Sequence, residues 1–329
     1  MPANTDALPS RTIDVVVIGG GAAGLNGALM LARSRRSVVV IDGGTPRNAP
    51  AEAVHGVLGL DGTPPAELYR RGRTEVRSYG GTVITGEVAS AAPAEPAPDG
   101  DLRFTVTLTD GRTLTARRLL VATGARDDLP DIPGLARHWG RGAVHCPYCH
   151  GWEVRDEPIG VLGLGPASVH QALLFRQLTS NLVYFTRGTE LDEQARARFA
   201  GRGIRVVEGP VEEVVTGHDG RVEGLRLGDG TVVPRRVLAV GSSLTPRIAG
   251  LEALGLPTGE LPQGMGRRVL SGMAGTTDVP GVWVAGNVTD PMAKVGASAA
   301  AGALAGAHIN ADLVMVDADA AAGLRGVSV

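Results

Sequence analysis

The feature that most constrains this chain is a short apolar strand followed at once by a glycine-rich turn. The run Ile13–Ile18 is β-branched and short enough for a buried parallel strand. Residues 25–32 then read as a helix of small and apolar side chains, and a second strand over 37–41 ends in Asp42. Three glycines at G-x-G-x-x-G spacing separate the first strand from the helix: Gly19, Gly21 and Gly24.

Each of these residues has a physical role in holding a dinucleotide. Gly19 permits the tight turn, Gly21 lets the backbone approach a pyrophosphate, and Gly24 lets helix and strand pack closely. The helix N-terminus offers free N–H groups and the positive end of its dipole to the phosphates. Asp42, which lies 18 residues after Gly24, can accept hydrogen bonds from an adenosine ribose. The sequence therefore predicts a site for an ADP-containing cofactor.

A related unit recurs 144 residues later. A strand over 158–162 precedes a second glycine motif, 169–178 reads as its helix, and 181–185 reads as the next strand. The second motif has the form G-x-G-x-x-S and comprises Gly163, Gly165 and Ser168. Both halves also end alike, in the runs 117–124 and 235–241, each after an Asp-Gly hairpin signal. This duplication predicts an α/β fold with two Rossmann-like dinucleotide-binding domains.

The segment after the second half, 244–329, is too short to be a full domain. It contains a strand that ends at Gly286 and Asn287, followed by a helix of very small residues over 297–309. The simplest arrangement returns this segment to the first domain and makes the second domain an insertion. The stretch 89–101 is rich in Ala and Pro, and we expect it to be a surface loop between strands.

Composition excludes several classes of protein. A length of 329 residues predicts about two domains. The formal net charge of −2 argues against a broad basic surface for nucleic acid, and four Tyr, four Phe and three Trp supply few stacking platforms. The most apolar late segment, 295–307, is shorter than the ~18 residues that a membrane span needs. Residues 1–10 lack the pattern of a secretory signal, so we expect a cytoplasmic protein.

The only two cysteines form one C-x-x-C pair, Cys146 and Cys149, between His145 and His150. Two intervening residues let a single turn bring both sulfurs within bonding reach. A C-x-x-C turn and a nearby imidazolium both lower the pKa of a thiol, and either histidine could move a proton near neutral pH. A structural zinc site needs four ligands and a structural disulfide is disfavoured in a reducing cytoplasm, so a redox role without a metal is favoured.

Taken in order, these motifs resemble the low-molecular-weight thioredoxin reductase family of flavoproteins. The resemblance covers nearly the whole chain: the first glycine motif, the Ala122-Thr123-Gly124 turn, the C-x-x-C before a second glycine motif, and the late Ala285-Gly286-Asn287 segment. It implies FAD on a discontinuous domain formed by 1–125 and 245–329. It also implies an NAD(P)-type domain over 126–244 that carries the cysteines, and a homodimer.

Several departures from the family pattern bear on function. His150 stands where the family usually has an acidic residue directly after the second cysteine, and Asn287 stands where it usually has Asp. The basic cluster of NADPH-dependent members is reduced to Arg187, which argues against a clamp for the 2′-phosphate. Ser168 replaces the last small residue of the second motif.

The CPYCHG form looks most like the FAD-dependent dithiol oxidases of natural-product pathways, of which the holomycin and gliotoxin enzymes are examples. That branch closes a disulfide in a small dithiol and passes the electrons through FAD to O₂, which gives H₂O₂. The resemblance implies that the substrate attacks Cys146 and that Cys149 passes electrons to the flavin. It implies an acid/base role for His150, with His145 as the alternative.

The resemblance also implies further cofactor-binding residues around the flavin, the ribityl chain and the pyrophosphate. These are Arg47, Asn48, Gly124, Gly286, Asn287, Asp290, Lys294 and Val295.

Two other functions stay open at this point. The intact Gly163 and Gly165 favour an NAD(P)H-dependent reductase of thioredoxin or a similar disulfide, and NADH needs no 2′-phosphate clamp. A third hypothesis for the function is a non-catalytic flavin redox sensor. The complete C-x-x-C beside a complete cofactor motif argues against it.

Overall fold

The computed structural model of the chain describes residues 11–324. The prediction that residues 1–10 form no secretory signal, and the two ends of the predicted first domain, lie outside the described residues.

Strands and helices alternate over residues 13–85 and 143–207, and elsewhere strands follow one another until the final helix. The helices are α1 (Ala22–Arg33), α2 (Pro65–Ser78), α3 (Pro147–His150), α4 (Pro166–Phe175), α5 (Glu193–Gly201) and α6 (Val295–Ala321). The first strands are β1 (Ile13–Ile18), β2 (Val38–Asp42), β3 (Thr82–Thr85), β4 (Val88–Ala94), β5 (Arg103–Leu108), β6 (Thr113–Val121) and β7 (Ala125–Asp128). The middle strands are β8 (Ala143–Val144), β9 (Ile159–Leu162), β10 (Leu182–Phe185), β11 (Arg205–Val207), β12 (Val211–Thr216), β13 (Val222–Leu227), β14 (Val232–Pro234) and β15 (Val237–Ala239). The last strands are β16 (Ser243–Pro246), β17 (Thr258–Glu260), β18 (Arg267–Val269) and β19 (Val282–Val284).

The first sheet has the strand order β3-β2-β1-β6-β5-β4, and β19 pairs in parallel with the end of β6. Its central strand is buried on both faces. Ile13, Val16 and Ile18 point into one apolar cluster, and Val15 and Val17 point into the other. This explains why β1 reads as a continuous apolar run rather than an alternating one. The pairing of β19 brings the C-terminal segment into the first sheet.

The second sheet is fully parallel, with the order β11-β10-β9-β15-β8. A three-stranded antiparallel sheet, β12-β13-β14, packs beside it around a shared apolar cluster. The chain passes between the first and second sheets along β7 and β16, which pair antiparallel with Ala125 opposite Pro246. The predicted α/β class with two Rossmann-like units is therefore what the chain adopts.

The prediction of a surface loop over 89–101 is wrong for its first half. Val88–Ala94 forms β4, which pairs antiparallel with β5 along the sheet edge. Ala is a weak strand former, and Pro93 has no N–H to donate a hydrogen bond to a neighbouring strand. The local sequence therefore does not predict a strand here. An edge position tolerates both residues, and the pairing with β5 supplies the hydrogen bonds that the local sequence did not reveal.

Helix α6 is longer than the predicted 297–309, since it runs for 27 residues from Val295 to Ala321. Its small residues lie directly on α1: a Cβ added to Gly302 would collide with the backbone of Ala23. Near its end, Asp312 pairs with Arg118 at 2.6 Å, so polar anchors extend the helix beyond the apolar run.

Within the described residues, α6 is the one helix whose length and composition would let it cross a membrane. A core helix of a globular protein can have the same length and composition. The apolar run 295–307, which is too short to span a membrane, forms only the first half of this helix.

Candidate active site

The first glycine turn leaves accessible backbone between β1 and α1. Gly19 has a φ of +114°, and a Cβ there would collide with the carbonyl oxygen of Ala122. By contrast, nothing lies within 4 Å of the place where a Cβ on Gly21 would stand. A Cβ on Gly24 would collide with the Gly19 carbonyl, so this glycine lets α1 lie against the turn. The turn thus has the form of a pyrophosphate site at a helix N-terminus.

Asp42 lies beside this turn, at the end of β2. Its carboxylate accepts hydrogen bonds from the backbone N–H of Gly44 (2.9 Å) and from Arg73 (3.1 Å). It is so close to Gly20 that any side chain at that position would overlap it. These contacts fix the carboxylate where the hydroxyl groups of an adenosine ribose can donate to it.

A cavity of about 1320 Å³ joins the first glycine turn to the cysteine pair. Residues of the first and second sheets and of their connecting loops line it. The predicted site residues in its lining are Gly19, Gly21, Asp42, Arg47, Asn48, Gly124, His145, Cys146, Cys149, His150, Gly286, Asn287, Lys294 and Val295. Gly24 and Asp290 lie outside the lining. The structure therefore gathers all but two of the predicted residues around one space.

Arg47, in the cavity wall, forms an ion pair with Asp127 of β7, a strand that connects the two sheets. Its guanidinium donates to both carboxylate oxygens of Asp127 (2.6 and 2.7 Å) and to the carbonyl of Pro291 (2.6 Å). Ser242 also donates to Asp127. Burial raises the pKa of the Asp127 carboxyl, but the hydrogen bonds and charge of Arg47, together with the hydrogen bond of Ser242, lower it below its ordinary value. Arg47 therefore holds the cavity in shape through an ion pair.

Other predicted cofactor residues shape the cavity through the backbone. Gly124 and Gly286 follow β6 and β19 with φ of +77° and +76°. A Cβ on Gly286 would stand 2.8 Å from that of Ala23 in α1, so a larger residue there would push the loop away from the first glycine turn. The side-chain oxygen of Asn48 accepts a hydrogen bond from the hydroxyl of Tyr69 at 3.0 Å.

The cysteine pair is set by one short helical turn. Cys146 precedes α3 and Cys149 lies within it, with their Cα atoms 5.2 Å apart and their sulfurs joined as a disulfide. The backbone N–H of Cys149 donates to the Cys146 carbonyl at 3.2 Å. The sequence contains no third cysteine. No other thiol of this chain can therefore take part in a thiol–disulfide exchange at this pair.

The two flanking histidines differ in their surroundings. Nδ1 of His145 donates to the carbonyl of Val240 at 3.1 Å, whereas neither ring nitrogen of His150 has a hydrogen-bond partner among the described residues. Burial lowers the pKa of both imidazoles below the ordinary value of 6.5. Both are therefore neutral at pH 7, and His150 is the one free to accept a proton at either nitrogen.

Two residues that the sequence did not single out also face this space with unsatisfied polar atoms. The hydroxyl of Thr123 and the side-chain oxygen of Gln171 are buried without a partner in the described part of the chain. The amide nitrogen of Gln171 donates to the His145 carbonyl at 2.7 Å. The hydroxyl of Thr123, beside the first glycine turn, fits a polar ligand such as FAD. Thr123 lies in the recognised Ala-Thr-Gly turn, but nothing local marks Gln171.

The loop before α6 is built around Asn287. The Asn287 amide donates to the carbonyls of Asp290 (3.0 Å) and Ala293 (2.8 Å), and the Asp290 carboxylate accepts from the Met292 N–H at 3.2 Å. Asp290 thus stabilises the loop, and its predicted contact with the cofactor stays a prediction. The loop delivers Lys294 and Val295 to the cavity at the N-terminus of α6.

The second glycine turn has the same form as the first but fewer backbone donors. Ser168 uses its hydroxyl to accept the N–H of Leu164 at 3.0 Å, whereas Gly24 at the matching position of the first turn has no side chain. Pro166, which starts α4, has no N–H, whereas the matching Ala22 has one. Proline at the first helical position also explains why α4 begins three residues before the predicted start. Two backbone positions of the second turn, 164 and 166, therefore have no free N–H to offer a ligand.

Comparison with known proteins places this geometry in a family. Residues 13–306 match the family model described as pyridine nucleotide-disulphide oxidoreductase. A relative named thioredoxin reductase tcpT, from Claviceps purpurea, is 34% identical over 262 residues, which are 77% of this chain and 81% of that protein. Thioredoxin reductase aclD from Aspergillus oryzae is 31% identical over 71% of this chain and 76% of its own length.

Solved structures agree with this assignment. The crystal structure of HlmI is 44% identical and superposes with a TM-score of 0.88 over 98% of this chain and 100% of its own. An oxidoreductase from Agrobacterium tumefaciens is 33% identical, with a TM-score of 0.85 over 93% of this chain and 99% of its own. The predicted resemblance to thioredoxin reductase-like flavoproteins is confirmed, and so is FAD as the cofactor. The chain belongs to the pyridine nucleotide-disulphide oxidoreductase family, as a flavin-dependent disulfide oxidoreductase.

Proposed function

We propose that this protein is an FAD-dependent dithiol oxidase that closes a disulfide in a small natural-product dithiol, with O₂ as the electron acceptor. The observation that supports oxidation over reduction is the second glycine turn. Fewer free backbone donors remain at this turn than at the first, because Pro166 has no N–H and the hydroxyl of Ser168 accepts the N–H of Leu164. Backbone N–H groups at a helix N-terminus are what hold a phosphate. The first turn keeps its donors, and the disulfide lies on the same cavity as that turn. Electrons then enter through the dithiol.

The chemistry at the disulfide is two successive exchanges. A substrate thiolate attacks the sulfur of Cys146, the S–S bond breaks, and Cys149 leaves as a thiolate. The second substrate thiolate then attacks the substrate sulfur of the mixed disulfide and displaces Cys146. The substrate leaves as a cyclic disulfide, and the pair holds its two electrons. When bound, FAD accepts these electrons and delivers them with two protons to O₂, which gives H₂O₂.

His150 supports these exchanges as a base. Its imidazole is neutral at pH 7 because burial lowers its pKa, and both nitrogens lack a partner within the described chain. It can therefore take the proton that a substrate thiol must lose before it attacks. Gln171, which donates to the carbonyl just before Cys146, holds the preceding segment against α4.

The first test is anaerobic reduction of the flavin in stopped flow. A small dithiol should bleach the flavin, NADH and NADPH should not, and admission of air should restore the oxidised spectrum and release H₂O₂. Rapid bleaching by either nicotinamide would favour the reductase instead, since Gly163 and Gly165 are intact. No bleaching by any of the three would favour a non-catalytic sensor.

His150→Ala should slow flavin reduction by the dithiol about tenfold at pH 7. A thiol with a pKa near 8.5 is only about 3% ionised at that pH, so a base can gain at most about thirtyfold. The deficit should vanish above about pH 9, where the substrate ionises unaided. In the wild type the rate should fall as acid protonates His150. Because burial lowers the pKa of this imidazole, the fall should occur below its ordinary pKa of 6.5.

The control for this variant is His170→Ala, which removes an exposed histidine from the same cavity. It should leave the pH profile unchanged. An unchanged profile in His150→Ala would remove that residue as the base and leave His145 as the candidate. The cytoplasmic location and the homodimer remain predictions from the sequence and belong to this proposal.

A further inference from the structure

Lys294 is the only lysine in the sequence, in which the other 31 basic side chains are arginine. Arginine also supplies the cation in every ion pair of the described residues that does not involve histidine. Lysine differs from arginine in carrying a compact ammonium on a flexible stem. The cation at position 294 therefore differs in chemistry from every arginine of the chain.

The ammonium of Lys294 lies over the ring of Tyr148, 4.0 Å from the ring centroid. Tyr148 is one of the two residues between the cysteines and lies on α3, where it is 65% exposed. Lys294 precedes α6, which packs on α1 of the first sheet. This cation–π contact therefore reaches from the flavin-binding unit to the helix that carries the disulfide.

The loop that presents Lys294 is held on two sides. The Asn287 amide donates to the carbonyls of Asp290 and Ala293, and Arg47 donates to the carbonyl of Pro291. An aspartate side chain at position 287 would have no N–H to donate to these carbonyls, so the departure from the family pattern there serves this loop. On the other side of α3, His55 of the first unit lies 3.3 Å from a carboxylate oxygen of Glu153.

We propose that Lys294 is a positioning residue, which holds α3 and its cysteine pair on the shared cavity by its contact with the ring of Tyr148. The proposal rests on the proposed transfer of electrons from this pair to FAD. The required features are the positive charge at position 294 and the aromatic face at position 148. The phenolic hydroxyl is not required.

Because Lys294 is the only lysine, acetylation by an N-hydroxysuccinimide ester reports on it alone once peptide mass spectrometry separates it from the α-amino group. The holoenzyme is labelled in its disulfide form without any substrate. Tyr148→Leu should raise the rate of Lys294 labelling about threefold to fivefold, because the ring no longer stabilises the ammonium. Tyr148→Phe should stay within about twofold of the wild type. Tyr79→Leu is the matched control, since it removes a surface cation–π pair with Arg33.

A second readout follows flavin reduction by a small dithiol under anaerobic conditions. Lys294→Met should lower the limiting rate about fivefold, with flavin content and the dithiol concentration at half-maximal rate unchanged, and Lys294→Arg should recover part of the loss. Unaltered labelling in Tyr148→Leu, or an unaltered limiting rate in Lys294→Met, would overturn the proposal. Faster labelling in Tyr148→Leu, with no reduction of wild-type flavin by any dithiol, would support the contact and overturn the oxidase.

Discussion

Cys149→Ser enzyme mixed with a small dithiol in the absence of oxygen should keep its oxidised flavin spectrum. Without the second sulfur there is no disulfide for the substrate to attack, and the sequence holds no other thiol that could take its place. Loss of a covalent participant of this kind costs at least about a thousandfold in rate. Serine is close to cysteine in size, so the half-buried site should keep its shape.

The matched variant is Cys146→Ser, which should lose the same reaction. In both proteins a direct chemical reductant such as dithionite should still bleach the flavin, and flavin content should equal that of the wild type. Retained reduction by the dithiol in Cys149→Ser would mean that the substrate reduces the flavin without the pair. The proposed route of electrons would then be wrong.

Gly302→Val should destabilise the protein by at least about 4 kcal/mol, a loss seen only when packing is severely disrupted. Gly302 lies on α6 where that helix crosses α1, and even a Cβ there would collide with the backbone of Ala23. The neighbour is backbone rather than a flexible side chain, so relief requires the two helices to separate. Since α1 starts at the first glycine turn, FAD should be lost together with stability. Thermal unfolding and the ratio of flavin to protein measure the two effects.

Gly296→Val is the internal control, because it lies in the same helix with nothing within 4 Å of its Cβ position. Glycine and valine are both weak helix formers, so we expect a change within about 0.5 kcal/mol. Should Gly302→Val yield no folded protein, Gly302→Ala gives a measurable loss of about 3 kcal/mol from overpacking. A wild-type melting temperature in Gly302→Ala would show that α6 does not press on α1 as described.

The fold was largely predictable because its strongest signals are local. The apolar run of β1, the glycines at 19, 21 and 24, and their repetition around Gly163 each follow from short-range sequence. The predictions that failed concern elements whose structure depends on contacts with other elements. The strand Val88–Ala94 exists because β5 pairs with it, and α6 continues to Ala321, past the anchor that Asp312 forms with Arg118.

In the candidate site too, local motifs were predicted from the sequence and long-range contacts were not. The positions of the cysteine pair and its histidines follow from one short motif, and the structure places them on the cavity with the first glycine turn. The partner of Arg47 is Asp127, 80 residues away, and that of Asn48 is Tyr69. No local pattern reveals such pairs. Gln171 was missed for the same reason, since its role depends on the His145 carbonyl 26 residues earlier.

The second glycine turn also has an evolutionary consequence. Replacing Pro166 restores one backbone donor, while the hydroxyl of Ser168 still occupies the N–H of Leu164. Replacing Ser168 alone leaves the donor at 166 missing. Neither single mutation recovers the full set, so both positions have to change before this turn matches the first one in free backbone donors. Under the proposed function, a return to a nicotinamide as the electron source would require substitutions at both Pro166 and Ser168.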